Sequence, residues 1–245
     1  MSFKLGKQPA RLDSVKLKFA KYKPTLASIP KSEKPVDLNW NMLGNDQYGD
    51  CVWAGAAHET MSWNNEAKRI INFTEQGVLK DYSAVTGFNP NDPNSDQGTD
   101  MQIAASYRKK TGVIDAIGNR HKVGAYVAIT PGNTQEVKEA IYLFGAVGVG
   151  IQFPDYAMDE FNAGQSWHLK SDGQIIGGHY VPAIGYNGRY LYVVTWGKLQ
   201  KMTWGFLNRY MDEGIVYLSD EFLSSGKSLE GFDISQLQAD LNQLT

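Results

Sequence analysis

The chain has 245 residues, of which 42% are hydrophobic and 20% are charged, ordinary values for a globular protein that buries a full core. The net charge of -2 argues against nucleic acid or a membrane surface as a partner, and no stretch approaches the length of a membrane span. A single cysteine excludes an intrachain disulfide, and no apolar run near Met1 is long enough for a signal peptide. We therefore expect the protein to be cytoplasmic or within a virion.

Charge is unevenly distributed along the chain. Residues 1–34 contain nine Lys or Arg and two acidic residues, about +7, which leaves 15 basic and 24 acidic residues, about -9, for residues 35–245. Pro9, Pro24 and Pro30 interrupt any long helix, so an extended basic arm is predicted. Two interpretations are open: a solvated tail, or an arm that docks on its own acidic body or on a neighbouring subunit.

Apolar residues within the arm favour docking, because a solvated tail has no need of them. They are Phe3, Leu5, Leu12, Leu17, Phe19 and Tyr22. Residues 16–23 (KLKFAKYK) alternate basic and apolar side chains, a pattern that suits an edge strand. We expect the arm to be ordered along a surface.

The first half of the body has helical patterning. Helices are predicted over residues 51–63, 74–82 and 101–111, with a loop rich in Asn, Asp and Pro over 87–98. Asp50 is a suitable N-cap residue, which places Cys51 in the first turn of its helix.

The second half changes to short β-branched and aromatic runs separated by Gly turns. Strands are predicted over 124–129, 145–153, 179–186, 190–196, 204–208 and 214–218, with one helix over 134–143. The expected fold class is therefore α+β, with a helical N-terminal lobe and an antiparallel β C-terminal lobe.

A last amphipathic helix is predicted over residues 233–244. Ile234, Leu237, Leu241 and Leu244 share one stripe of it, which we expect to pack on the body or on a partner. The predicted organisation is an arm (1–34), a compact domain (35–224) and a C-terminal helix (225–245).

Cys51 has an unusual context for a lone cysteine. It follows a Gly-Asp turn at the start of a helix, where the positive end of the helix dipole favours the thiolate and free N–H groups can hold an oxyanion. The pKa of its thiol is therefore expected to lie below its ordinary value.

A general base for Cys51 has to come from one of four histidines. His58 lies about 10 Å along the same helix, too far to pair with Cys51. His121 and His168 lie in polar segments where a solvated histidine is expected. His179 follows Gly177-Gly178 at the mouth of a buried strand and is the best candidate.

Several motifs occur in the order typical of one enzyme family. Over residues 30–220 the chain resembles the papain family of cysteine peptidases, through PVDLNW (35–40), NDQYGDCVWA (45–54), FTEQGVLKD (73–81), DQG (96–98), GHYVPAIGY (178–186), VTWG (194–197) and WG (204–205). The resemblance implies a two-lobed papain-like fold, with Cys51 as nucleophile and His179 as base.

The resemblance also implies roles for the neighbouring residues. Asn45 or Gln47 would help Cys51 to hold the oxyanion. Gly98 would pair with substrate backbone, and Trp196 and Trp53 would line the substrate site.

One position departs from the family pattern. The Asn that orients the histidine in the family falls at Val194, whose side chain cannot accept a hydrogen bond. Thr195, its neighbour, or a backbone carbonyl would have to take that role.

Two classes of function remain open. The first is a thiol hydrolase that cleaves peptide or isopeptide bonds of a protein substrate and needs neither metal nor cofactor. The second is a weak or inactive papain-like scaffold that serves as an assembly subunit, for example of a phage particle, joined in homo- or hetero-oligomers through the arm and the C-terminal helix. A cleft filled by the chain's own residues would favour the scaffold.

Overall fold

The computed structural model describes residues 2–11, 15, 17–23, 28–223 and 233–243. Its helices are α1 (Phe19–Tyr22), α2 (Cys51–Glu66), α3 (Glu75–Thr86), α4 (Met101–Lys110), α5 (Thr134–Phe144), α6 (Asp155–Asn162), α7 (Trp204–Tyr210), α8 (Asp220–Leu223) and α9 (Ile234–Gln243). A single 3-10 turn spans Pro93–Ser95 in the loop before α4.

A six-stranded antiparallel sheet dominates the second half of the chain. The strands are β1 (Val113–Ile114), β2 (Arg120–His121), β3 (Val123–Ile129), β4 (Val147–Pro154), β5 (Ile175–Tyr186), β6 (Tyr190–Thr195), β7 (Lys198–Thr203) and β8 (Met211–Ser219). The order in the large sheet is β3-β8-β4-β5-β6-β7, and β1 pairs with β2 alone.

Two apolar cores give the molecule its two lobes. One surrounds α2 and includes Trp53, Trp63 and Tyr82. The other lies on the sheet and includes Trp167 and Phe206. The expected α+β fold with a helical lobe and an antiparallel lobe is confirmed.

Helix α2 packs directly on strand β5 at the boundary between the lobes. Gly55 permits this approach, since a Cβ there would lie 2.5 Å from the ring of Tyr180. Glu59 of α2 accepts from the hydroxyl of Tyr180 at 2.8 Å and from Arg108 of α4 at 2.6 Å. This buried network fixes α2 against the sheet.

One predicted strand is wrong. Residues 204–210 form helix α7, because Thr203 caps it by accepting from the N–H of Phe206 at 3.3 Å and Phe206, Leu207 and Tyr210 share a buried face. The sequence patterns also missed α6 and β7.

The arm lies on the chain's own body. Lys7 pairs with Asp212 at 2.9 Å, Arg11 donates to Asp100 at 3.0 Å, and Lys23 pairs with Glu139 at 2.7 Å. The edge strand anticipated over residues 16–23 is instead a single isolated bridge from Lys18 to Ala128, followed by α1. Leu12 lies outside the described residues.

Helix α9 packs against α1. Asp240 accepts from the hydroxyl of Tyr22 and from Lys21, both at 2.6 Å, and Leu237 is 1% exposed. The side chains of Ile234 and Leu241, and the whole of Leu244, lie outside the described part of the chain. Within that part, every helix is too short or too polar to cross a bilayer.

Candidate active site

Cys51 begins α2 and is 1% exposed. Asp50 occupies the N-cap position, but its carboxylate makes no capping hydrogen bond; its carbonyl accepts from Trp53 and Ala54. Burial raises the pKa of Asp50 well above its ordinary value, with an opposing contribution from Asn45. Any negative charge on Asp50 would in turn raise the pKa of the neighbouring thiol.

The thiol does not have the depressed pKa expected from its position on the helix. Burial raises the pKa of Cys51 to about 12, although the main-chain N–H groups of Tyr180 and Gly6 oppose this increase. Desolvation outweighs the helix dipole here because the thiol itself is buried. Cys51 is a neutral thiol in this state.

His179 lies in β5, one residue before the Tyr180 amide that faces the thiol. Its Nε2 lies 2.7 Å from Thr195 Oγ1, and its ring stacks on Trp196 with centroids 4.4 Å apart. Its Nδ1 is buried and has no hydrogen-bond partner among the residues described. Burial lowers the pKa of His179 to about 3, so the imidazole is neutral.

Thr195 is the side chain that contacts the imidazole, whereas Val194 is buried in the helical-lobe core. Trp196 adopts a left-handed backbone conformation with φ +43, which a bulky residue rarely takes. This strained turn directly follows Thr195 and presents the indole flat against the imidazole.

The other histidines lie elsewhere. His58 Nε2 lies 2.8 Å from the carbonyl of Trp40, and burial lowers the pKa of His58 to about 4. His121 is not the solvated residue we expected: it lies between Glu221 and Asp115, and the hydrogen bond to Glu221 raises its pKa. His168 is half-buried near Glu160.

The remaining candidates differ in their placement. Asn45 is buried and donates to the carbonyl of Tyr48 at 3.2 Å, whereas Gln47 is exposed. Trp53 is buried, and its indole N–H donates to Thr99 Oγ1 at 3.0 Å. It therefore stabilises the edge of the cleft that contains Thr99. Gly98 has φ +69 and receives the arm so closely that a Cβ would lie 2.2 Å from the carbonyl oxygen of Gly6.

The arm fills the cleft above Cys51. Thr99 donates to Gly6 at 2.7 Å and accepts from Gln8 at 3.0 Å, and Lys7 donates to the carbonyl of Gly178 at 3.0 Å. Gly6 approaches the turn before Cys51 so closely that a Cβ would lie 1.8 Å from the oxygen of Gly49. The chain thus occupies both edges of the cleft with backbone hydrogen bonds.

Aromatic packing and an open groove complete the site. Phe3 stacks on Trp196 at 5.1 Å, so this indole lies between Phe3 and His179. Beside the arm, a groove of about 970 Å³ remains, bordered by Ile175 and Ile176.

Sequence reasoning missed the arm as part of the site, together with Thr99, Gly178 and the acidic residues that hold Lys7. The opposite charges of arm and body were the available signal for docking. These charges did not predict where the arm docks, because the net charge of a segment does not specify which residues it contacts.

No protein-family model and no curated protein matches the chain. Solved structures do resemble it. Xylellain, a cysteine protease from Xylella fastidiosa, superposes with TM-score 0.67 at 13% identity, over 89% of this chain and 98% of that one. Procathepsin B S9 from Trypanosoma congolense superposes with TM-score 0.59 at 10% sequence identity, over 89% of this chain and 87% of that one. The Carica candamarcensis cysteine protease CMS1MS2, solved in complex with E-64, superposes with TM-score 0.55 at 13% sequence identity, over 78% of this chain and 99% of that one.

The identities in these comparisons are low, and the similarity therefore concerns the fold. The shared fold combines helices with an antiparallel sheet and extends over most of each chain. This chain has the fold of the papain-like cysteine proteases.

Proposed function

We propose that the protein is a thiol hydrolase that cleaves peptide or isopeptide bonds through Cys51 and His179. The observation that supports this most strongly is the setting of His179. Thr195 and Trp196 hold the imidazole on two sides, and Nδ1 is left without a hydrogen bond among the described residues. An imidazole held rigidly with one free nitrogen suits a general base.

The proposed reaction uses Thr195 to set the tautomer. When Thr195 Oγ1 accepts the Nε2 proton, Nδ1 carries the lone pair. Nδ1 then takes the proton of the Cys51 thiol as sulfur attacks the substrate carbonyl, and returns it to the leaving amine. Water hydrolyses the thioester and restores the thiol. The N–H groups at the start of α2, with Asn45 or Gln47, stabilise the oxyanion.

The described state is latent in this proposal. The backbone around Lys7 is hydrogen-bonded to Thr99 and Gly178 on the two edges of the cleft, where this proposal places the substrate backbone. The high pKa of Cys51 and the low pKa of His179 both arise mainly from burial. Displacement of the arm would admit water and return both pKa values toward their ordinary ranges.

The test uses the full chain with Gly6→Ala, whose added methyl group cannot fit against Gly49 and so displaces the arm. Gly188→Ala is the matched control, because a Cβ at Gly188 meets nothing within 4 Å. The Gly6→Ala protein should hydrolyse an unfolded protein substrate, and additional Cys51→Ala or His179→Ala changes should abolish this. Absence of hydrolysis after demonstrated exposure of Cys51 would contradict the proposal.

The filled cleft supports a second candidate, a non-catalytic scaffold that serves as an assembly subunit, for example of a phage particle. In that case the arm is a permanent part of the fold. Light scattering on the full chain should then give an oligomer mass, and Gly6→Ala should change the assembly without producing hydrolysis. A monomer would remove the argument for assembly.

A further inference from the structure

The arm buries one charged side chain in a pocket of the cleft. The side chain of Lys7 is 0% exposed, and its ammonium donates to Asp212 at 2.9 Å and to the carbonyl of Gln8 at 2.9 Å, with Glu213 at 3.2 Å. The pocket is formed by Met101, Gly150, Asp212 and Glu213. It belongs to the body, and only its occupant comes from the arm.

Gly150 makes room for this occupant. A Cβ on Gly150 would lie 2.2 Å from Lys7 Cε, 2.7 Å from Met101 Sδ and 2.9 Å from Glu213 Cγ. A side chain on this residue of β4 would therefore close the pocket. The stem of a long side chain fits between the glycine and the thioether, and its end reaches the carboxylates.

A β-bulge brings the two carboxylates together. Neighbouring residues of a strand normally point to opposite faces of the sheet. Here Gly150 is opposite Glu213 and Ile151 is opposite Met211, so Asp212 is the extra, unpaired residue of β8. Bulges redirect side chains in this way. Both acidic residues therefore face the same ammonium.

The two carboxylates of the pocket favour a positively charged occupant. Lys7 faces two carboxylates whose side chains are 15% and 13% exposed. Asp212 Oδ1 is also buried, and within the described part of the chain it has no hydrogen-bond donor. A neutral side chain in place of Lys7 would leave the two partly desolvated carboxylates without this ammonium, which is unfavourable.

The backbone around Lys7 is hydrogen-bonded to both edges of the cleft beside Cys51. Lys7 bonds to Gly178 next to His179, its neighbours bond to Thr99, and Gly6 lies against Cys51. A substrate peptide that pairs with the same two edges of the cleft would place one residue over the Cys51 thiol. The side chain of the next residue would then enter the pocket of Asp212 and Glu213.

From this geometry we propose that the pocket of Asp212 and Glu213 determines specificity, and that it selects peptides with Lys or Arg beside the residue that lies on Cys51. Arg is included because its guanidinium has five donors and can also satisfy Asp212 Oδ1. This inference rests on the proposed function for the identity of the ligand as a substrate.

The first test measures the pocket without turnover. A free peptide with the sequence of residues 2–11 is titrated into the full-chain Gly6→Ala protein, alongside the same peptide carrying Lys7→Leu or Lys4→Leu. Lys4 is exposed, so its replacement is a matched change of charge. The Lys7→Leu peptide should bind at least about 10-fold more weakly, and the Lys4→Leu peptide within about 3-fold of the original. Equal loss of binding by both peptides would overturn the inference.

The second test maps cleavage. The Gly6→Ala protein is incubated with a mixture of peptides cut after acidic residues, and the new ends are identified by mass spectrometry. Lys and Arg should be enriched at one fixed position within two residues of the cleaved bond, and Asp212→Asn with Glu213→Gln should abolish the enrichment. Cleavage without enrichment would overturn the inference and leave the proposed function standing. No cleavage at all, with Lys7-dependent peptide binding, would overturn the proposed function instead.

Discussion

His179 Nε2 lies 2.7 Å from Thr195 Oγ1, and both side chains are buried beside Trp196. A hydroxyl thus contacts one nitrogen of the imidazole, although the preceding residue, Val194, has no side-chain group that forms hydrogen bonds. In the proposed reaction this hydroxyl accepts the Nε2 proton, and the lone pair of Nδ1 takes the proton of Cys51. This relationship is the basis for the first prediction.

Thr195→Val should reduce hydrolysis by the Gly6→Ala protein roughly 10- to 100-fold, because the imidazole loses its fixed tautomer and orientation. Thr195→Ser keeps the hydroxyl and should restore most of the rate. The pH profile of Cys51 alkylation should change in the valine variant and recover in the serine variant. If serine and valine behave alike, Thr195 acts only through packing.

The reactivity of Cys51 should report the position of the arm. Burial holds the pKa of Cys51 at about 12, so the thiolate is scarce at pH 7 and iodoacetamide should react slowly with the wild-type protein. Gly6→Ala should increase the rate at least about 10-fold by admitting water. The measurement is the mass of the peptide containing Cys51 over time. A similar increase in Gly188→Ala would refute the explanation.

The buried pair of Glu59 and Arg108 should be important for stability. Arg108→Met leaves the Glu59 carboxylate uncompensated where both side chains are almost fully buried, and should cost about 3–5 kcal/mol in free energy of unfolding. Lys21→Met removes one partner of a pair whose lysine side chain is 58% exposed, and should cost less than about 1 kcal/mol. Urea denaturation measures both. Equal costs would show that burial of the pair does not determine its contribution.

Asp50 should make stability depend on pH. Its folded-state pKa is raised by burial, so the folded protein retains a proton that the unfolded chain releases above a pKa of about 3.9. The resulting loss of stability develops as pH rises through the unfolded pKa and is present at pH 7.

Asp50→Asn removes this ionisation and should raise Tm at pH 7 by about 2–4 °C, with a smaller gain near pH 4. The exposed Asp37→Asn is the control. A Tm that falls by the same amount at both pH values would show that Asp50 acts through a specific contact of its carboxyl group.

Local patterns predicted much of the fold and the elements that carry Cys51 and His179. Helix α2 starts at Cys51, as the Gly-Asp turn before it indicated. His179 lies in a buried strand, as the apolar run after Gly177-Gly178 indicated. The strand predicted over residues 204–208 is wrong because this aromatic run follows a helix cap at Thr203, and Trp204–Tyr210 form a helix instead.

The rest of the site depends on pairings between distant parts of the chain. The path of Lys7 is set by Thr99, Gly178 and Asp212, which lie far from it in sequence. The convergence of Asp212 and Glu213 requires a bulge, and a bulge depends on the register with β4. The raised pKa of Cys51 likewise follows from its burial under the arm, which overrides the local helix dipole.

The most direct measurement of the central claim is burst kinetics of ester hydrolysis by the full-chain Gly6→Ala protein. The substrate is the p-nitrophenyl ester of N-acetylglycine, because Gly6 occupies the position over Cys51. We predict a burst of about one p-nitrophenolate per protein, followed by slower turnover, since a thioester at Cys51 accumulates. An added Cys51→Ala change should remove the burst, and His179→Ala should slow it greatly. Linear release at the same rate in all three proteins would contradict a Cys51–His179 hydrolase.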